Sequence, residues 1–165
     1  MEERWTTIVD YPRYLISNTG LVMNDDTGRL LSQSYNPQGA VKVGLYSEGG
    51  QHTKSVKVLV AVAFVEGHTD VFDTPINLDG DQSNNNADNI AWRPRWFAWQ
   101  YTRQFLDVEN WYLFRKVYDI ATNDIYEDMV DAAKANGLLL RDILKSVHDD
   151  RHVTFPTWQR FGIVL

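Results

Sequence analysis

Between Ile76 and Trp92 the chain reads INLDGDQSNNNADNIAW, with eight Asn or Asp among seventeen residues. Such side chains bond nearby backbone groups and tolerate left-handed geometry, so they favour loops over strand ladders. No regular strand is expected there. A fold containing this segment must hold an irregular polar loop between elements built elsewhere. Upstream, Leu15–Ile16, Leu21–Met23, Leu30–Leu31, Val41–Tyr46 and Ser55–Leu59 are short β-rich runs. Turn chemistry separates them at Asn18-Thr19-Gly20, Asp25–Gly28, Asn36–Gly39 and Glu48-Gly49-Gly50. Val56–Phe64 then becomes continuously apolar and suits a buried helix, followed by a loop over Val65–Pro75.

Downstream, Arg93 to about Val108 is expected to be helical, with Pro94 in the first turn and Trp96, Phe97, Trp99, Tyr101 and Phe105 along it. Trp111–Ala121 and Ile125–Tyr126 suggest a hairpin around Thr122-Asn123-Asp124. A helix over Glu127–Asn136 should end at Gly137, a suitable left-handed terminator. Leu138–Val147 should form the next helix, and Val153–Phe155 a closing strand. Two helices meeting at Asn136-Gly137 make a helix-turn-helix pattern. The expected division is residues 1–97, a linking helix at 98–109, and a module at 110–165.

Composition narrows the function. At 165 residues, with 44% hydrophobic and 23% charged positions, the chain is expected to fold with a real core. There is no run of eighteen apolar residues, so no membrane span is expected. The start, Met1-Glu2-Glu3-Arg4-Trp5, lacks a secretory apolar stretch. Without cysteine there are no disulfides, thiolate metal sites or thiol nucleophiles. The net charge is −6, and neither half is basic: residues 1–99 hold eight basic against twelve acidic residues, and 100–165 hold eight against ten. That balance weighs against extensive phosphate contact.

The stretch WTTIVDYPRYLISNTGLV, the Gly28-Arg29-Leu30-Leu31 segment and VKVLVAVAF resemble phage HNH homing endonucleases. So do Asp79-Gly80, Asn84-Asn85, Asn89-Ile90 and Trp92, which match that family's Asp-Gly-x-x-x-Asn-Asn-x-x-x-Asn-Leu-x-Trp spacing. Residues 110–165 are similar to the helix-turn-helix segment often appended to these nucleases, through Val117-Tyr118-Asp119, Asp124-Ile125-Tyr126 and Asp131-Ala132-Ala133. The resemblance implies a ββα-metal fold holding one divalent ion against a phosphate, with a histidine as base. Cleavage at neutral pH needs such a Lewis acid and a base near pKa 7.

The chain departs from that pattern at the chemical positions. Where the resemblance implies the base histidine, two residues before Asp-Gly, it has Asn77. The preceding ligand position is Ile76, or Asn77 if the loop is one residue shorter, and the helix ligand position, six residues after Trp92, is Ala98. A further histidine common in the apolar run is replaced by Lys57. The framework Asp79, Gly80, Asn84, Asn85, Asn89 and Trp92 remains. The pattern implies a retained fold without a catalytic centre.

Plainer roles compete at several of these positions. Asn84, Asn85 and Asn89 fit backbone satisfaction better than catalysis. Asp79-x-Asp81-x-Ser83 is not a calcium loop, because Asn84 and Ile90 replace the required Gly and Glu. His52 and His68 fall in expected loops, and His148 and His152 at a solvated helix end. Trp96 and Trp99 are candidates for base stacking or an interface. Arg141 and Lys145 would face a groove, yet Leu138-Leu139-Leu140 offers no capping oxygen, and three leucines cannot share one buried helical face. One is expected to be exposed, suiting a protein partner.

These features imply an α+β protein: a degenerate HNH ββα-metal domain followed by a small helix-turn-helix-like unit. The expected function is non-catalytic, binding a protein partner (host enzyme or phage component) or DNA. The alternative is a metal-dependent HNH-type nicking endonuclease. No cofactor is expected, with Mg or Mn needed only under that alternative. The resemblance implies a phage-encoded protein of the host cytoplasm, with virion association an open possibility.

Overall fold

The structure is a computed structural model that describes residues 2–105 and 114–164. The chain divides into two compact units, Met1–Asn77 with Asp81–Arg95, and Leu78–Gly80 with Trp96–Leu165. The described part of the expected 98–109 linking helix clusters with the second unit. Residues 106–109 of that helix, and the Trp111–Leu113 start of the expected hairpin, lie outside the described residues.

In the first unit, β1 (Trp5–Ile8), β2 (Tyr11–Ser17), β3 (Val22–Asn24) and β4 (Arg29–Leu30) form an antiparallel sheet in chain order. A second sheet joins β5 (Gln33–Tyr35), β6 (Val41–Ser47) and β7 (Gly50–Ser55). β6 shows why: VKVGLYS alternates, and Val41, Val43 and Leu45 are buried while Lys42 and Tyr46 face out. Helix α1 (Val56–Phe64) follows directly and buries Val56, Val60 and Ala61. The β-rich run at Ser55–Leu59 is therefore mostly helix, because its apolar residues continue at helical spacing. His52 lies in strand β7, not in a loop.

The Asn-rich segment is irregular only in its middle. Its ends pair as an antiparallel hairpin, β8 (Thr74–Asn77) with β9 (Ile90–Arg93), in register Ile76↔Ala91 and Asn77↔Ile90. A short 3₁₀ turn, Ala87–Asn89, leads into β9. The expectation of no strand fails at these ends because Ile76, Ile90 and Trp92 are buried and hold the pairing. Trp92 packs in the core with Ile16, Val22, Val60 and Ile90, and its indole Nε1 donates to the Val65 carbonyl at 3.0 Å.

The second unit contains α2 (Arg95–Gln104) from Trp96 onward, α3 (Met129–Asn136) and α4 (Leu140–His148). Its sheet has the order β11 (Ile125–Tyr126), β10 (Val117–Asp119), β12 (Phe161–Ile163). Asp128 caps α3 by accepting from the Asp131 amide, and Gly137 ends it at φ 61°. The closing strand is Phe161–Ile163 and not Val153–Phe155. The latter segment runs into Pro156, which lacks a ladder donor, and the chain reverses between Thr154 and Trp158. Met129, Ala132, Leu138, Ile143 and Phe161 form the core of this unit.

Trp92→Ala should lower stability by about 3–5 kcal/mol, read from urea unfolding. An unchanged unfolding curve would contradict the packing described.

Candidate functional site

The nuclease-like positions on the β8–β9 hairpin are closed and amide-rich. Ile76 is buried, and Asn77 is only 4% exposed. The Asn77 amide Nδ2 donates to the Asn84 carbonyl at 2.7 Å and more weakly to Asn85 Oδ1 at 3.4 Å. Asn89 Nδ2 donates to the same Asn84 carbonyl at 2.9 Å, and Asn85 Nδ2 to the Ser83 carbonyl at 3.3 Å. Asp81 Oδ1 accepts from both the amide and the hydroxyl of Ser83, and these bonds hold its carboxyl below the ordinary range. These side chains satisfy main-chain groups that no ladder serves.

The loop is also joined to the β2–β3 turn. The Ala87 amide donates to the Asn18 carbonyl at 2.8 Å, and buried Asn18 accepts from the Arg4 amide through Oδ1. Gly20 has φ +90°, and a Cβ there would lie 3.1 Å from Asn85 Cβ. The Asn18-x-Gly20 pair is thus the turn against which the loop closes.

The remaining nuclease-like positions belong to the second unit. Gly80 has φ +80°, and a Cβ there would lie 2.6 Å from the Phe105 ring. The neighbouring Leu78 carbonyl accepts from the Tyr101 hydroxyl at 2.6 Å. Ala98 is buried on α2. At the positions to which the resemblance assigns a metal, Ile76 and Ala98 have no side-chain donor atom and Asn77 offers one carbonyl oxygen. None of the three residues by itself supplies the carboxylate or imidazole that a divalent ion usually takes from a protein. Among the described residues no three His, Asp or Glu side chains gather at metal-binding distance.

Helix α2 separates its aromatics by face. Phe97 and Tyr101 are buried and stacked at 6.0 Å, whereas Trp96 and Trp99 are 53% and 63% exposed. Leu138, Leu139 and Leu140 are all buried, contrary to the expected exposed leucine. The helical-face argument fails because α4 starts only at Leu140, so Leu138 and Leu139 precede the helix, Leu139 with extended backbone. The missing capping oxygen comes from elsewhere in the unit: Gln104 Oε1 accepts from the Leu140 amide at 2.9 Å, and its Nε2 donates to the Leu138 carbonyl at 3.0 Å. Arg141, Lys145 and His148 lie exposed along α4. His152 is beyond the helix, 3.9 Å from Asp142, so the two histidines share no helical face.

Two features of these surfaces escape the sequence reading. One is Gln104, whose role depends on a contact distant in sequence. The other is the outer face of the β5–β6–β7 sheet, where Ser34, Lys42, Tyr46, Gln51 and Thr53 are exposed. The alternation in VKVGLYS is the signal that could have found that face. Lys57 is half-buried, and desolvation lowers its pKa from the ordinary lysine value.

The sequence and fold have known counterparts. A family model described as the NUMOD4 motif matches residues 3–46. The chain is 34% identical over 109 residues to the DNA endonuclease I-HmuI of Bacillus phage SP01, covering 64% of this chain and 56% of that protein. It is 29% identical over 89 residues to the uncharacterized HNH endonuclease L247 of Acanthamoeba polyphaga mimivirus, covering 54% of this chain and 22% of that protein. A second mimivirus protein, the uncharacterized HNH endonuclease L245, is 33% identical over 92 residues, covering 56% and 27%. The matched regions therefore span between about a fifth and somewhat over half of these relatives' length. A solved structure described as "DNA binding and cleavage by the HNH homing endonuclease I-HmuI" shares the fold, with a TM-score of 0.56, 24% identity and 98% coverage of both chains.

Two measurements test the local physics. Gln104→Ala should cost about 1–2 kcal/mol of stability, because it strips a helix cap and leaves a carbonyl unpaired. Lys57→Met should stabilise the protein at neutral pH. In the wild type the folded state releases the Lys57 proton at a lower pH than the unfolded chain does. Stability therefore rises with pH between the lowered pKa and the unfolded value of about 10.4. The advantage of the methionine variant should shrink across that interval in urea midpoints, and a constant difference would contradict the burial cost.

Proposed function

We propose that this chain, which belongs to the HNH homing endonuclease family, binds duplex DNA without cutting it. The observation carrying this reading is the pairing of a retained framework with Ile76, Asn77 and Ala98 at the chemical positions. An amide accepts no proton near neutral pH, and the two aliphatic side chains offer a metal nothing. The Asn77 amide is moreover occupied in closing its own loop.

Two surfaces support DNA as the partner. The outer face of the β5–β6–β7 sheet presents hydroxyls, an amide and one lysine, the groups that read base edges when a β-ribbon enters a major groove. Helix α4 presents Arg141, Lys145 and His148 to solvent, as the second helix of a helix-turn-helix does. The reading in which Leu138–Leu140 docks a protein loses its motive, since those leucines are buried. Viral relatives support a phage-encoded protein acting in the host cytoplasm. No helix among the described residues is long and apolar enough to cross a membrane.

The test is a plasmid nicking assay in magnesium and in manganese, beside a duplex-binding titration. No nicking is expected, and Asn77→His alone should not restore it while residue 98 is alanine. Arg141→Glu and Lys42→Glu should each weaken duplex binding and flatten its salt dependence by about one phosphate contact. Metal-dependent nicking abolished by Asp79→Ala would overturn the non-catalytic reading. Duplex binding indifferent to both charge reversals would overturn the assigned surfaces.

A further inference from the structure

We propose that the exposed aromatic face of the second unit, formed by Trp96, Trp99 and Trp158 with Arg103, stacks the unpaired bases of single-stranded DNA. Trp96, Trp99 and Trp158 are 53%, 63% and 67% exposed. Indole is among the largest apolar groups a protein can bury, and leaving three in water forgoes that stabilisation. Two of them belong to one contiguous aromatic run. The Trp96 and Phe155 rings lie 5.7 Å apart, and Phe155 meets Trp158 edge-on at 6.3 Å. Trp99 follows Trp96 one turn along α2.

Trp158 is held outward at a conformational cost. Its φ is 60°, in the left-handed region that bulky residues avoid, and its amide donates to the Thr154 carbonyl at 2.7 Å. A side chain that packed nothing would gain nothing from that geometry. The turn keeps a large ring displayed beside Phe155.

Charge selects the partner. The Arg103 guanidinium lies over the Trp99 ring, 4.7 Å from its centroid. A planar cation stacked on an indole is preorganised for a phosphate, and the ring beside it for a base. Helix α2, RWFAWQYTRQ, has two arginines and no carboxylate, in a chain of net charge −6. A second copy of this acidic chain is a poor match for that face, whereas a polyanion carrying flat apolar rings is a good one. In duplex DNA each base face is covered by its neighbours, so unpaired bases reach the indoles without the cost of unstacking that a duplex would impose. This inference goes beyond the duplex reading above and uses none of its residues.

The test uses the full chain and oligothymidylate, read by tryptophan fluorescence and by anisotropy of a labelled strand. Stacking should quench the fluorescence. Trp99→Ala and Trp158→Ala should each weaken binding about tenfold, as loss of one base stack does. These residues are exposed, and unchanged circular dichroism will confirm folding. An abasic oligonucleotide should bind at least tenfold more weakly than oligothymidylate. With one or two phosphates contacted, log affinity should fall with log salt at a slope of only about −0.7 to −1.4. Arg141→Glu, which should weaken duplex binding, should leave oligothymidylate binding unchanged, so the two readings fail separately. Equal binding of abasic and thymidine strands would overturn the proposal. So would wild-type affinity in both tryptophan variants, or self-association that Trp99→Ala abolishes.

Discussion

The first unit depends on a loop closed by side-chain amides. The carbonyl of Asn84 receives the amides of both Asn77 and Asn89, and the Asn18 carbonyl receives the amide of Ala87. A net hydrogen bond contributes about 1 kcal/mol, but a buried carbonyl left unpaired costs about 1–3 kcal/mol. The asparagines are therefore worth more as insurance against unsatisfied backbone than as added attraction. They let a polar, irregular loop sit between two buried strands. Without them β8 and β9 would carry the hydrophobic register but nothing to join it.

The same solution recurs in the second unit with a different amide. Helix α4 begins at a leucine, which has no capping atom, and still its first amide is satisfied. Gln104 grips both ends of the short approach to the helix, the Leu138 carbonyl and the Leu140 amide. That grip frees residues 138–140 from any polar duty, so all three can be apolar and buried. The leucine run and the distant glutamine are two halves of one arrangement.

That arrangement shows what is legible in the sequence. Strand alternation in β6, the helix at Val56–Phe64 and the Gly137 stop are local signals, and the structure follows them. The Leu138–Leu140 run misleads because its environment is set by a residue thirty-odd positions earlier. Helical periodicity also has no meaning for residues that precede the helix. Val153–Phe155 misleads as a closing strand because it and Phe161–Ile163 are equally apolar, and only the reversal at Thr154–Trp158 distinguishes them. The aromatic series on α2 can be expected as a series, but its split into buried Phe97 and Tyr101 and exposed Trp96 and Trp99 needs the packing. At the candidate site the residue types are readable, while the bonds between them are not.

The bonding of Asn77 bears on how such a chain can change. Its Nδ2 offers one hydrogen to Asn84 and another to Asn85. A neutral imidazole at that place has a single N–H, and a histidine serving as a base must keep its other nitrogen's lone pair free for a proton. The loop and the chemistry would then compete for the same side chain. Replacing Asn77 with histidine would give up one of the loop's two side-chain donors, so the hairpin should loosen as the side chain gained basicity. The choice between amide and imidazole at residue 77 is therefore a trade between fastening the loop and carrying a proton.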